Sequence, residues 1–153
     1  MFQRILCATD FSDTAEAAWE IACDLARTHR ADLVLVHSFT ELPVYPEVAV
    51  ASVQRVWEEQ RLWVQQALDQ RVGAASARGL RARSLLKTGP APETIVDTAT
   101  EEGAELIVIG THGRTGLTRL VIGSVAERVV RIAPCPVLIV KPSAVREHVR
   151  AAA

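Results

Sequence analysis

Two stretches of this 153-residue chain carry the residues best suited to chemistry. The first is Gly110-Thr111-His112-Gly113-Arg114-Thr115-Gly116, followed further on by Gly123-Ser124. Glycines at 110, 113 and 116 let the backbone take positive φ and approach a ligand with no Cβ in the way. Gly123-Ser124 reads as a helix start, where unpaired N–H groups and the positive end of the dipole suit an anion. His112, Arg114 and Arg119 add donors nearby. The combination describes an anion cradle built from a glycine loop and a helix N-terminus. The second stretch is Thr9-Asp10-Phe11-Ser12, a carboxylate among hydroxyls at the end of an apolar run. Each piece also has a plainer reading. A glycine after a strand can be only a turn, and Ser124 with Glu127 makes a capping box. Arg114 and Arg119 could be solvated, His112 could bond a backbone carbonyl, and Asp10 could cap the helix that follows it.

The elements that hold these stretches alternate. Apolar runs occur at 5–8, 33–36, 106–109 and 137–140, with a weaker alternating run at 80–86. Four of the five are apolar on both faces, as strands of a parallel sheet covered on both sides are. Between them the period changes to 3.6. A first helix is predicted from Asp13 as N-cap, with Ala15, Ala18, Trp19, Ala22, Leu25 and Ala26 in one stripe. A long helix is predicted over 48–77, with Val53, Val56, Trp57, Val64, Ala67, Leu68 and Val72 near one face. A third begins near Pro92 and stops at Gly103 as a left-handed cap. A fourth begins at Gly123-Ser124 and ends before Pro134, with Val125, Ala126, Val129, Val130 and Ala133 facing inward. The order β-α-β-α-β-α-β-α-β implies an open, doubly wound α/β fold: a five-stranded parallel sheet with helices on both faces. Such sheets bind ligands beyond the carboxyl ends of their strands where strand order reverses. If strands 1 and 4 are neighbours there, both chemical stretches line one crevice. Residues 1–141 read as one domain and 142–153 as a tail.

Composition narrows the function. The chain is 49% hydrophobic and 23% charged, the mix of a globular protein, with no apolar run long enough to span a bilayer. The amino terminus runs straight into a strand pattern without a signal-peptide core, so a cytoplasmic location is expected. A net charge of −1 gives no general affinity for nucleic acid. Cys7, Cys23 and Cys135 are far apart and form no C-x-x-C pair, so they read as small buried hydrophobes rather than a metal or redox site.

The spacing Gly110-x-x-Gly113, nine residues, then Gly123-Ser124 resembles the G-x2-G-x9-G-[S/T] signature of ATP-binding universal stress proteins. The opening strand with Thr9-Asp10-Phe11-Ser12, the Val36-His37 end of strand 2 and the closing segment from Pro134 to Lys141 extend the resemblance along most of the chain. It implies an adenine nucleotide α-hydrolase-like fold, ATP as ligand, and Mg²⁺ or Mn²⁺ accompanying the triphosphate. It implies that Thr9 and Asp10 sit by the adenosine. Ser38 would occupy a place where the family usually has an aliphatic residue whose backbone meets the adenine ring, so the serine is a departure. Gly110, His112, Gly113 and Arg114 would follow the ribose and phosphates. Gly123, Ser124 and Val125 would hold phosphate oxygens by backbone N–H and hydroxyl. A homodimer through the last strand, Val137–Val140, is also implied, and an apolar edge there needs a partner or a cover in any case. The expected role is a nucleotide-dependent regulatory module in a stress response, with hydrolysis slow at most. The alternatives are an ATPase or phosphotransfer enzyme, and a nucleotide-free dimeric scaffold. The chain has no G-x4-G-K-[S/T] loop, and no S-G-G-x-D-S or H-I-G-H motif.

Overall fold

The computed structural model describes residues 1–40, 50–111 and 122–141. In chain order the elements are β1 (Arg4–Ala8), α1 (Asp13–His29), β2 (Asp32–Phe39), α2 (Val50–Ala77), β3 (Ala82–Thr88), α3 (Ala91–Glu102), β4 (Leu106–Gly110), α4 (Ser124–Ile132) and β5 (Val137–Val140). All strand pairs are parallel, and the sheet order is β3-β2-β1-β4-β5. The expected α/β fold with helices on both faces is therefore the observed one.

The alternation of side chains along each strand divides the core in two. Ile5, Cys7, Leu33, Leu35, Leu106 and Val108 point to one face, where α1 and α2 cover them with Trp19, Ala22, Cys23, Val64 and Leu68. Leu6, Ala8, Val34, Val36, Ile107 and Ile109 point to the other, under Ile95 and Ala99 of α3 and Ala126 and Val129 of α4. This division follows from the direction of travel. The chain moves one way across the sheet from β1 to β3, then returns to β4 and β5. With right-handed crossovers, reversing the direction moves the helices to the opposite face. Open parallel sheets have their ligand crevice at such a reversal, here beyond the carboxyl ends of β1 and β4.

Several local expectations are corrected. Ser12, not Asp13, caps α1: its Oγ accepts the Ala15 N–H at 3.3 Å, and Asp13 is the first helical residue. Both residue types cap well, and the one in extended conformation takes the role. Gly123 is the N-cap of α4 with no side-chain cap bond, so the capping box from Ser124 to Glu127 does not form. β3 starts at Ala82 rather than 80; Leu80 is buried in the turn before it, where its N–H reaches the Ala75 carbonyl. Val130, read as inward-facing, is 49% exposed, and Val56, read in the apolar stripe of the long helix, is 51% exposed. Residues 48 and 49, the predicted start of the long helix, lie outside the described residues. The left-handed cap at Gly103 is as expected, with φ 62°.

Cys7 and Cys23 are buried, but Cys135 is only partly so. Burial pushes the Cys7 thiol well above the ordinary thiol range and Cys23 up to about 12. The Cys135 thiol is raised as well, by the same cause.

The end of β4 lies hard against the start of α1. A Cβ on Gly110 would stand 2.9 Å from the backbone carbon, the carbonyl oxygen and Oγ1 of Thr14. Backbone atoms cannot step aside as a flexible side chain can. Gly110→Ala is expected to destabilise the chain by about 1–3 kcal/mol, a fall of roughly 3–10 °C in Tm; a calorimetric Tm equal to the wild type would refute the close approach. Thiol labelling at pH 8 with an aromatic disulfide is expected to modify Cys135 first and to reach Cys7 and Cys23 only in denaturant. Fast modification of either buried thiol in the native protein would contradict this packing.

Candidate functional site

The crevice opens where β1 and β4, neighbours in the sheet, both end. Their register runs to Cys7 opposite Val108, so the chain leaves the sheet at Thr9–Asp10 on one side and at Gly110–Thr111 on the other. The first of these turns is closely bonded. The Thr9 N–H donates to the Val36 carbonyl at 2.9 Å, and Thr9 Oγ1 accepts the Phe11 N–H at 3.0 Å. Asp10 Oδ1 accepts from the Ser12 N–H at 3.0 Å and from Ser12 Oγ at 2.5 Å. Asp10 thus supports the cap of α1 through Ser12 rather than capping the helix itself. Phe11 has φ 63°, a left-handed conformation that is uncommon for a bulky residue.

On the other side, Thr111 is held at both ends of its peptide. Its N–H donates to the Val140 carbonyl at 2.9 Å, and its carbonyl accepts the Gly123 N–H at 2.6 Å. The chain therefore returns from position 123 to the same strand end it left, and α4 begins there. The first bond within α4 runs from the Glu127 N–H to the Gly123 carbonyl. Helix geometry leaves the N–H groups of Ser124, Val125 and Ala126 with no acceptor in the helix. Such groups, with the positive end of the helix dipole, are chemically suited to an anion. The N–H of Gly123, expected to meet a phosphate oxygen, is bonded to the Thr111 carbonyl in this structure. The space that a Cβ on Gly110 would need is taken by Thr14.

Ser38 sits near the end of β2, one strand over. Its Oγ donates to the Gly89 carbonyl at 2.7 Å, and Thr40 Oγ1 reaches the same oxygen at 3.2 Å. The peptide of Ser38 faces another way. In a strand, alternate residues direct their N–H and C=O groups to the same edge. The Asp32 N–H meets Gln3 and the Val36 carbonyl meets Thr9, both in the β1 direction. The Phe39 carbonyl meets Gly89 on the β3 side. Ser38 is in phase with Asp32 and Val36, so its N–H and C=O point to the β1 side, beyond the place where β1 has turned away.

The fold thus gathers Thr9, Asp10, Ser38, Gly110, Gly123, Ser124 and Val125 at the carboxyl end of three adjoining strands. His112, Gly113 and Arg114, with Arg119, lie outside the described residues. Four residues were not singled out as site residues in the sequence: Phe11, His37, Trp63 and Arg71. The Phe11 ring lies 5.0 Å from that of His37 and 5.5 Å from that of Trp63, and the Arg71 guanidinium stands 4.7 Å from its centre. A histidine inside the apolar run Leu33-Val34-Leu35-Val36-His37 was the available signal. Among the described residues, no group of three or more His, Cys, Asp and Glu side chains could hold a metal ion, and no helix is long and apolar enough to cross a membrane.

The sequence profile of the universal stress protein family matches residues 1–141. A universal stress protein of Thermus aquaticus is 36% identical over 145 residues, covering 92% of this chain and 100% of that protein. Universal stress protein UspA from Lactobacillus plantarum is similar in structure with a TM-score of 0.81 at 25% identity, covering 90% of this chain and 97% of that one. A universal stress protein from Archaeoglobus fulgidus, solved in complex with dAMP, gives a TM-score of 0.65 at 27% identity, covering 92% and 98%. With the same fold and a profile match along nearly its whole length, the chain belongs to the universal stress protein family.

Proposed function

We propose that this chain binds ATP in the crevice between the ends of β1 and β4 and acts as a nucleotide-dependent regulatory module. The observation that carries the reading is the start of α4, pinned to the end of β4 by the Gly123–Thr111 bond. Its free-ended N–H groups at Ser124 and Val125 suit phosphate oxygens, and the Ser124 hydroxyl can add a donor. Gly113, His112 and Arg114 would complete the phosphate side, and Gly110 would serve by letting the loop depart close to α1. Asp10 would meet the ribose or base from the β1 side, with Thr9 beside it.

The base reading rests on hydrogen-bond polarity. A strand edge offers an N–H and a C=O from one residue, here Ser38. Adenine presents a ring-nitrogen acceptor beside an amino donor and so matches that pair; guanine presents the reverse order. Because the contact would be made by the main chain, the serine in place of an aliphatic residue does not disturb it. The dAMP complex of the Archaeoglobus fulgidus relative supports an adenine nucleotide. Mg²⁺ or Mn²⁺ would be held chiefly by the phosphates, as Mg²⁺ commonly is in nucleotide sites. The domain would be residues 1–141, with 142–153 a tail and the protein acting in the cytoplasm.

We also propose a homodimer through β5. It is an edge strand, Leu138 is 37% exposed, and the nearby α4 leaves Val130 and Ile132 exposed at 49% and 42%. An apolar edge of this kind is covered by pairing with its own copy across a two-fold axis.

By calorimetry the chain is expected to bind ATP, and Gly123→Val or Gly113→Val to abolish binding; unchanged affinity in both variants would remove the phosphate site from this loop. GTP is expected to bind at least tenfold more weakly than ATP, and equal affinity would defeat the adenine reading. Turnover of labelled ATP at the order of 10 s⁻¹ usual for enzymes would replace a binding module by an enzyme. In light scattering, Leu138→Asp is expected to run as a monomer where the wild type runs as a dimer, and two equal masses would count against pairing through β5.

A further inference from the structure

We infer that His37 and Phe11 are positioning residues for the nucleotide: together they clamp the Thr9–Asp10 turn, and Phe11 links that turn to helix α2. The inference rests on the nucleotide reading above and deepens it. The chain leaves the sheet at Thr9, where the ladder no longer supplies a partner for the next carbonyl. His37 supplies one. Its Nδ1 lies 2.8 Å from the Thr9 carbonyl oxygen, which can only accept, so Nδ1 carries the proton. The same imidazole lies against the Phe11 ring at 5.0 Å with an interplanar angle of 30°. One side chain therefore holds the residues on both sides of Asp10.

Phe11 needs such support, because its left-handed φ of 63° costs a non-glycine residue energy that surrounding contacts must offset. Three groups enclose its ring. His37 lies tilted against it by 30°, Trp63 meets it edge-on at 5.5 Å, and the Arg71 guanidinium stands over it at 4.7 Å. Arg71 is itself anchored, with Nε donating to Glu16 Oε1 at 2.8 Å and Nη1 to the Ala67 carbonyl at 2.7 Å. The peptide on either side of Asp10 is thus set by β2 and α2, not by the turn alone. A carboxylate aimed by two clamped neighbours arrives pre-oriented, and pre-organisation lowers the cost of binding. Core packing alone would predict a change in stability and none in affinity.

Trp63 makes the link measurable, since its indole is 54% exposed while its edge touches Phe11. The experiment is ATP titration of the full chain by calorimetry, with tryptophan emission recorded alongside. His37→Phe keeps a ring against Phe11 and removes the donor, and His37→Asn keeps an N–H donor near the Nδ1 position. His37→Phe is expected to weaken ATP binding about tenfold, and His37→Asn to recover roughly threefold of that loss. ATP is expected to change the emission of the wild type, and Trp63→Phe to remove that change. Wild-type binding accompanied by an unmoved Kd in His37→Phe overturns the inference, as does His37→Asn binding no better than His37→Phe. A wild-type emission that ATP leaves unaltered overturns the link to α2. If the wild type binds no ATP at all, the nucleotide reading itself fails and the inference falls with it.

Discussion

The crevice exists because the carboxyl end of β4 can lie against the first turn of α1. In a sheet whose connections reverse direction, the strands on either side of the reversal are neighbours, and their following segments must part at once. β1 leads into α1 on one face, and β4 leads toward α4 on the other. The separation at this point is set by Gly110, whose backbone approaches Thr14 so closely that even a methyl group would collide with it. From that contact the rest follows in order. Thr111 is placed to bond Val140 and to receive Gly123, and Gly123 starts α4 at the same strand end. The missing side chain of Gly110 thus has a packing role in the fold itself.

The sequence made the sheet legible wherever strands were covered on both sides. The runs at 5–8, 33–36 and 106–109 are continuous in β-branched and aliphatic residues because helices bury both faces. β3 was less legible for the opposite reason: it is an edge strand whose residues are only partly buried, and its pattern merges with the buried Leu80 in the turn before it. The cap of α1 differs by one residue from the reading, because Ser12 and Asp13 are both good capping residues and the choice depends on a backbone angle, whereas α4 starts at Gly123-Ser124 as read. Val130 differs from its inward reading because α4 carries apolar residues on two faces, Ala126 and Val129 buried and Val130 and Ile132 exposed. The period of a helix cannot tell which apolar face the core takes.

The two halves of the proposed nucleotide site differ in how they could be read. The anion half is local: glycines, a hydroxyl and a helix start within fifteen residues, with the physical reason for each present in the sequence. The base half is distributed. It combines the phase of peptide groups along β2, the length by which β2 outlasts β1, and the turn at Thr9. The hydroxyl of Ser38 is a departure from the family pattern that a main-chain contact would survive. That group is occupied with Gly89 and fastens the end of β2 to the turn after β3, while the peptide of the same residue faces the crevice.

Main-chain groups dominate this arrangement, and that has a consequence for how the fold can vary. A donor on the backbone stays in place under almost any side-chain change, provided the strands keep their register and the few close approaches keep their glycines. Identities of 25–36% along almost the whole chain are compatible with one fold for this reason. Side chains are then free to specialise where they brace the backbone instead of touching a ligand. Phe11, His37, Trp63 and Arg71 are such a brace, drawn from a turn, a strand and a helix far apart in sequence. No single-sequence pattern connects them, because what unites them is a ring held in place from three sides.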